Sequence, residues 1–247
     1  MIKLSKRMKA VASMVTEGNV LADIGTDHGH VPIALVQREK IPRAIAMDVN
    51  QGPLQRAKDN IAMCGLEDVI ETRLSDGVMK LEPNEAETIL IAGMGGELVM
   101  RILAAGEAVC ESAKELVLQP QSDIQKVRKF LRENNYKIVD EDMIFEDGKY
   151  YPMMRAIPVE DNSCWDRMKP EVLKACDIYG PILLKNGHPV LRKFLVKQHR
   201  QMVSIIATLE QQTPSEKIIE RIGMIKEQIE YNESAYTILG AIKDAGI

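Results

Sequence analysis

One rhythm constrains this chain more than any other feature. Within the first 160 residues, short apolar or β-branched runs recur at 20–25, 44–47, 69–72, 88–92, 115–119 and 136–139, each followed by a turn and a helical pattern. Strands that are apolar along their whole length are buried on both faces, and helical returns between them cover those faces. The pattern predicts an α/β domain built on a parallel sheet. Two further runs, at 143–145 and 150–156, flank Asp147-Gly148 and read as a hairpin that closes the sheet.

The rhythm stops after Pro158. From about residue 161 the chain is polar and helical, so the expected division is an α/β domain over 1–160 and a helical domain over 161–247. Leu191, Leu195, Gln198, Met202, Ile205 and Leu209 are spaced alternately by four and three, and Ile218, Ile222, Ile225 and Ile229 keep the same beat. That spacing predicts a coiled-coil-like antiparallel hairpin. Between its arms, Thr213 is the expected cap, Pro214 the first helical residue and Glu216 the partner completing a capping box. Neither arm has enough heptads for a long rod, so packing within the chain is favoured: a monomer is expected, with a dimer through the seam left open.

Composition narrows the range of partners. A net charge of -4 argues against a molecule that attracts nucleic acid over its whole surface, and 4% aromatic residues leave few rings for an extended base-stacking platform. Charge is unevenly spread, however. Between residues 165 and 205, Arg167, Lys169, Lys174, Lys185, Arg192, Lys193, Lys197 and Arg200 outnumber Asp166, Glu171 and Asp177, so local positive charge is available on a helix face that is otherwise read as simply solvated. The cysteines form no CxxC pair and no histidine lies at zinc-ligand spacing, so no metal is expected. There is no uninterrupted apolar stretch of roughly 18 residues and no leader-like run behind the N-terminal charges. The expectation is a soluble protein of the reducing cytoplasm with no membrane partner.

The chemistry lies at the ends of the apolar runs. Asp23-Ile24-Gly25-Thr26-Asp27-His28-Gly29-His30-Val31-Pro32 joins the first run to a helical stretch. A glycine at the carboxyl end of a first strand lets a ligand approach the backbone, on the edge where α/β sheets bind ligands. The G-x-G-x-x-G fingerprint is absent, because Gly25 and Gly29 are four apart and no third glycine opens the helix, which disfavours a dinucleotide. Asp48, ending the second run, is placed to accept from both hydroxyls of a ribose or to cap a helix. Asp76-Gly77 brings another carboxylate to the same edge. Gly93-Met94-Gly95-Gly96 follows the fourth run, either as a floor with few side chains or as a tight turn. Together these loops outline an adenosine-sized slot, and a nucleotide-cofactor enzyme is as far as spacing alone reaches.

The sequence resembles the S-adenosylmethionine-dependent methyltransferases, and more closely the bacterial tRNA adenine-22 N1-methyltransferase family. The likeness is carried by Leu4-Ser5-Lys6-Arg7, the 22–32 loop, Met47-Asp48-Val49, Ser75-Asp76-Gly77, Ile91-Ala92-Gly93-Met94-Gly95-Gly96, Leu118-Gln119-Pro120 and Tyr179-Gly180-Pro181, and it runs essentially the full length. Gln121 departs from the asparagine often found after Gln-Pro in this family.

The resemblance implies a Rossmann-like methyltransferase domain, S-adenosylmethionine as cofactor and tRNA as partner. It puts Asp23, Gly25, Asp27 and His28 around the cofactor's amino-acid end, Asp48 on its ribose, Asp76 and Gly77 at its adenine, and Gly93, Met94 and Gly95 beside the point of methyl transfer. Adenine N1 has an in-plane lone pair, so in-line positioning supplies most of the catalysis, and a carboxylate near the base would stabilise the charge that develops. Asp27 is the candidate for that role, with a helix N-cap or a ligand for the cofactor's ammonium as its alternatives. His28 and His30 are candidates to hydrogen-bond the base or the cofactor carboxylate. Lys6 and Arg7, then Arg192, Lys193, Lys197 and Arg200, are the candidate RNA contacts. Tyr150 or Tyr151 offers a ring to an extruded base, although strand alternation sends one of them to the core. Two other classes stay in view: a non-catalytic RNA-binding or assembly protein that keeps the fold, and an oxidoreductase, against which the missing glycine fingerprint counts.

Overall fold

The computed structural model describes residues 2–239, and the chain divides after Asn162 into two units. The first unit runs α1 (Lys6–Met14), β1 (Leu21–Ile24), α2 (His30–Val36), β2 (Ala44–Asp48), α3 (Gln51–Met63), β3 (Ile70–Leu74), β4 (Thr88–Ala92), α4 (Gly96–Ala105), α5 (Glu107–Ser112), β5 (Glu115–Gln119), α6 (Ile124–Glu133), β6 (Tyr136–Glu146) and β7 (Lys149–Pro158). Its sheet has the order β3-β2-β1-β4-β5-β7-β6. β1 to β5 are parallel, while β7 runs antiparallel to both β5 and β6, giving a Rossmann-like sheet closed by a hairpin.

The apolar runs are strands because they bury both faces. Leu21, Ile24, Ile45, Met47, Ile89, Leu90, Ile91, Leu116 and Leu118 have almost no exposed surface, and each such side chain contributes roughly 1.5–3 kcal/mol relative to an exposed position. Glu115, at the start of β5, breaks the apolar pattern and is satisfied in place. Its carboxylate accepts from Thr16 N at 2.8 Å, Thr16 Oγ1 at 2.6 Å and Thr88 Oγ1 at 2.7 Å. A second buried charge, Arg128 on α6, donates to Glu141 of β6 at 2.8 Å, tying that helix to the closing hairpin.

The runs at 136–139 and 143–145 are one strand, not two. β6 is continuous through both, with a register irregularity between Ile138 and Asp140 that breaks the alternation and gives the sequence its look of two pieces.

The second unit begins with a 3₁₀ turn (Ser163–Arg167) and continues with α7 (Pro170–Tyr179), α8 (Pro181–Lys185), α9 (Pro189–Glu210) and α10 (Glu216–Ile238). α9 and α10 pack as a hairpin, and α7 also packs on α10. Leu191, Leu195 and Met202 are buried along α9, but Ile205 is exposed and Ile206 half-buried. A helix with 3.6 residues per turn drifts out of a 3.5-residue seam, and this one has done so by its last turns. The cap differs from expectation too: Ser215, not Thr213, caps α10, accepting from Ile218 N at 3.4 Å, so Pro214 precedes the helix and Glu216 is its first residue. Among the described residues, no helix is long and apolar enough to cross a membrane.

Candidate active site

Parallel strands put their carboxyl ends on one edge, and the strand order reverses between β1 and β4. That reversal is where a crevice forms in an open α/β sheet. The loops along the edge are stitched together by backbone hydrogen bonds. Gly25 N and Thr26 N both donate to Met47 O at 2.8 Å, Ser75 N to Asp48 O at 2.9 Å, Gly93 N to Gln119 O at 3.0 Å, and Gln121 N to Met94 O at 2.8 Å.

Gly25 sits at the reversal with φ +73°, a conformation that a side chain rarely tolerates. A Cβ there would also collide with the terminal methyl of Met94, which reaches across from the loop after β4. The two loops that sequence spacing assigned to the slot therefore touch. Gly93 and Gly95 are exposed, the latter beside Ser122, and leave open backbone at the same place. Gly77 has a different explanation: it is buried at φ +55°, and a Cβ would press on Ile102 of α4, so its lack of a side chain serves packing.

Three carboxylates stand on the ends of adjacent strands. Asp23 is 7% exposed, and burial pushes its carboxyl up to about 6, with Asp48 adding to the rise. Asp48 ends β2 and accepts from Asn50 N at 2.7 Å; Asn50, not Asp48, is the N-cap of α3. Asp76 is exposed, in the loop after β3. Carboxylates accept hydrogen bonds and carry negative charge, so this set suits a ligand with ribose hydroxyls and cationic groups and repels a pyrophosphate. The residues present thus fit S-adenosylmethionine in chemistry.

Asp27 does not cap α2; that position belongs to Gly29. Its side chain is 70% exposed, 3.3 Å from both Arg56 Nη2 and His28 Nε2. His28, at φ +64°, and His30, the first residue of α2, stack with ring centroids 5.2 Å apart. Burial and the neighbouring His28 lower the His30 pKa, against a smaller opposing pull from Asp27. Among the described residues, no group of three His, Cys, Asp or Glu side chains could hold a metal.

Residues 4–154 match a family described as methyltransferase domain. The tRNA (adenine(22)-N(1))-methyltransferase of Bacillus subtilis (strain 168) is 32% identical over 237 residues, which cover 93% of this chain and 98% of that one. The chain belongs to the tRNA (adenine(22)-N(1))-methyltransferase family. Solved structures agree with this. The B. subtilis tRNA methyltransferase TrmK has a TM-score of 0.83 at 31% identity, covering 96% of this chain and 100% of that one. M. capricolum TrmK, solved with S-adenosyl-homocysteine, has a TM-score of 0.79 at 25% identity, covering 96% and 99%.

In this member of the adenine-22 methyltransferase family, the partners of several named residues, and Glu146 altogether, escaped the sequence reading. Arg7 Nη1 donates to Gln119 Oε1 at 2.8 Å, and its guanidinium carbon lies 5.3 Å from the centroid of the Tyr151 ring. The Arg7 charge is thus directed inward, onto a fully buried carboxamide at the end of β5, and a phosphate contact is not its first role. Lys6 is exposed, with Nζ near Phe145 O at 3.3 Å. Glu146 accepts from Lys6 N at 2.7 Å and Arg7 N at 3.1 Å, so a hairpin carboxylate caps α1 together with Ser5. Tyr151 is the ring packed against the core, whereas Tyr150 packs at a tilt on Phe145, with ring centroids 4.7 Å apart. The family motifs at Leu4–Arg7 and around Gln119, and the alternation of Tyr150 and Tyr151, were the signals in the sequence; Glu146 had none. In the second unit, Arg192, Lys193, Lys197 and Arg200 are exposed on α9 and line one groove with Tyr236 of α10.

Proposed function

We propose that this protein is an S-adenosylmethionine-dependent tRNA methyltransferase that methylates N1 of adenine 22. The observation that supports it best is the meeting of Met94 with Gly25 at the strand-order reversal, flanked by Asp23, Asp48 and Asp76, in a chain whose full-length relative carries that activity. When bound, S-adenosylmethionine supplies an electrophilic methyl group.

The chain's own residues bind and orient. Asp48 accepts from the ribose hydroxyls, with one oxygen already fixed by Asn50 N. Asp23 attracts the ammonium of the amino-acid end beside Gly25 and His28. Asp76 and Gly77 border the adenine, and the exposed Val49 and Leu74, the latter opposite Asp48 in the ladder, offer it apolar surface. Gly93, Met94 and Gly95 leave room where the target base approaches. N1 of adenine needs no activated nucleophile, so alignment supplies most of the rate, and Asp27 stabilises the positive charge that develops on the ring.

The second unit is proposed to grip the tRNA backbone through Arg192, Lys193, Lys197 and Arg200, with the exposed Lys6 contributing from the first unit. Contacts of this kind position the substrate without reading its sequence. The molecule acts as a monomer in the cytoplasm; in support, the buried seam residues of α9 and α10 pack within one chain. Incubation with labelled cofactor and unmodified bulk tRNA, followed by nucleoside mapping, tests the reading. It predicts 1-methyladenosine; tight cofactor binding without methyl incorporation would instead favour a non-catalytic RNA-binding protein.

A further inference from the structure

Two hollows lie side by side between α9 and α10, and both are lined by Val196, Arg200 and Tyr236. The larger, about 470 Å³, adds Arg192, Lys193 and Lys197 and contains no carboxylate. The smaller, about 370 Å³, adds His199, Asn232, Glu233 and Thr237. Tyr236 is the one aromatic residue among the three that line both. The residue is 44% exposed, and the Arg192 guanidinium lies 5.5 Å from its ring centroid.

We infer that this pair of hollows is a subsite for one unpaired nucleotide of the RNA, with the base stacked on Tyr236 and its flanking phosphates in the groove of Arg192, Lys193, Lys197 and Arg200. The inference rests on the proposed tRNA methyltransferase function and goes beyond its backbone contacts. A purely electrostatic grip on RNA needs neither a hollow nor a ring. Here a planar aromatic face, backed by a guanidinium, lines both a cationic groove and a hollow edged by hydrogen-bonding groups. That arrangement matches the three parts of a nucleotide: phosphate, π-face and polar base edge. Each hollow is of a size that holds a small organic group. In the smaller one His199 Nδ1 lies 3.8 Å from Glu233 Oε1, so donor and acceptor stand together at the rim. A chain poor in aromatic residues lacks a stacking platform, but one base requires only one ring.

Base stacking and phosphate neutralisation differ in their dependence on salt. Counterion release makes log affinity fall with log salt in proportion to the number of phosphates contacted, whereas stacking adds a nearly constant factor. Affinity for an unmodified tRNA transcript, measured by anisotropy at several salt concentrations, separates them. Tyr236→Leu is expected to weaken binding by about 5- to 100-fold at every salt with the slope unchanged. Tyr236→Phe and Tyr236→Trp are expected to stay within about twofold of wild type, and Tyr236→Trp to show fluorescence quenching on tRNA binding beyond the Trp165 background. Circular dichroism and S-adenosylmethionine affinity, unchanged in all three, check that the fold survives.

Wild-type binding in Tyr236→Leu, or an equal loss in Tyr236→Leu and Tyr236→Phe, overturns the subsite and leaves the functional reading standing. Competition by poly-glutamate as effective as that by an oligonucleotide of equal charge also overturns it, by making the groove a general anion site. A wild-type protein that neither binds nor methylates tRNA overturns the functional reading and the subsite with it.

Discussion

Asp23 carries an energetic cost that comes from burial beside Asp48. Its carboxyl titrates at about 6 in the folded protein against 3.8 in the unfolded chain, so the folded state holds the extra proton between those values. Stability without cofactor therefore falls as pH rises from about 4 to 6 and stays lower above it, by roughly 3 kcal/mol at the usual exchange of 1.36 kcal/mol per unit. Asp23→Asn should melt higher than wild type above pH 6, the two curves converging near pH 4 in a thermal titration, while cofactor affinity is lost. In wild type, calorimetry should find S-adenosylmethionine binding weakening below about pH 6, by at most tenfold per unit, as the carboxylate is neutralised. Gly25 is the second decisive residue. Gly25→Ala should lower cofactor affinity at least tenfold, because its Cβ displaces the Met94 methyl and fills the glycine's open backbone, and should cost about 1–2 kcal/mol from the left-handed backbone alone. Equal cofactor affinity in Gly25→Ala and wild type would remove this loop from the binding model. Both residues were legible in the sequence, since a carboxylate and a glycine at the end of an apolar run announce themselves locally. The Arg7–Gln119 bond and the Glu146 cap on α1 were not, because they join residues more than a hundred positions apart and leave no local pattern.

Among the elements, the parallel strands were the easiest to read and the helical hairpin the hardest. Runs such as 88–92 are buried on both faces, so composition alone marks them, whereas β6 lost its alternation at the Ile138/Asp140 irregularity and read as two pieces. On α9 and α10 the periodic signal persisted past the point where burial stopped, which is why Ile205 was expected in the seam and is exposed. Buried charge at element junctions is equally invisible to periodicity. Arg128 and Glu141 are almost wholly enclosed, and Glu141→Ala should destabilise the first unit by about 3–5 kcal/mol in a denaturant titration, since it removes the carboxylate that balances a buried guanidinium. A loss below about 1 kcal/mol would show that water reaches the pair. For the basic face of α9, simultaneous reversal of Arg192, Lys193 and Lys197 to Glu should weaken tRNA binding and flatten its log–log salt slope by up to about three. Cofactor affinity should not change. Unchanged tRNA affinity in that variant would take the hairpin out of RNA recognition.

At the scale of the whole molecule, the net charge of -4 conceals a division of labour. The acidic side chains at the sheet edge suit a cationic, hydroxyl-rich cofactor, and the cations of α9 suit a polyanion; averaged together they nearly cancel. Spacing and burial reach as far as a nucleotide-cofactor enzyme with a separate basic helical unit. The acceptor base and its atom come from family membership, because the residues at the sheet edge point by themselves only to a ligand with ribose hydroxyls and cationic groups. The most direct measurement is therefore methyl transfer from labelled S-adenosylmethionine to one tRNA transcript carrying adenine at position 22, beside the same transcript with guanine there, with the modified position located by reverse-transcription arrest. The account predicts a single stop at position 22 in the first transcript, 1-methyladenosine on digestion, and no label in the second. Equal labelling of both transcripts, or a methyl group on the exocyclic amine, would contradict it.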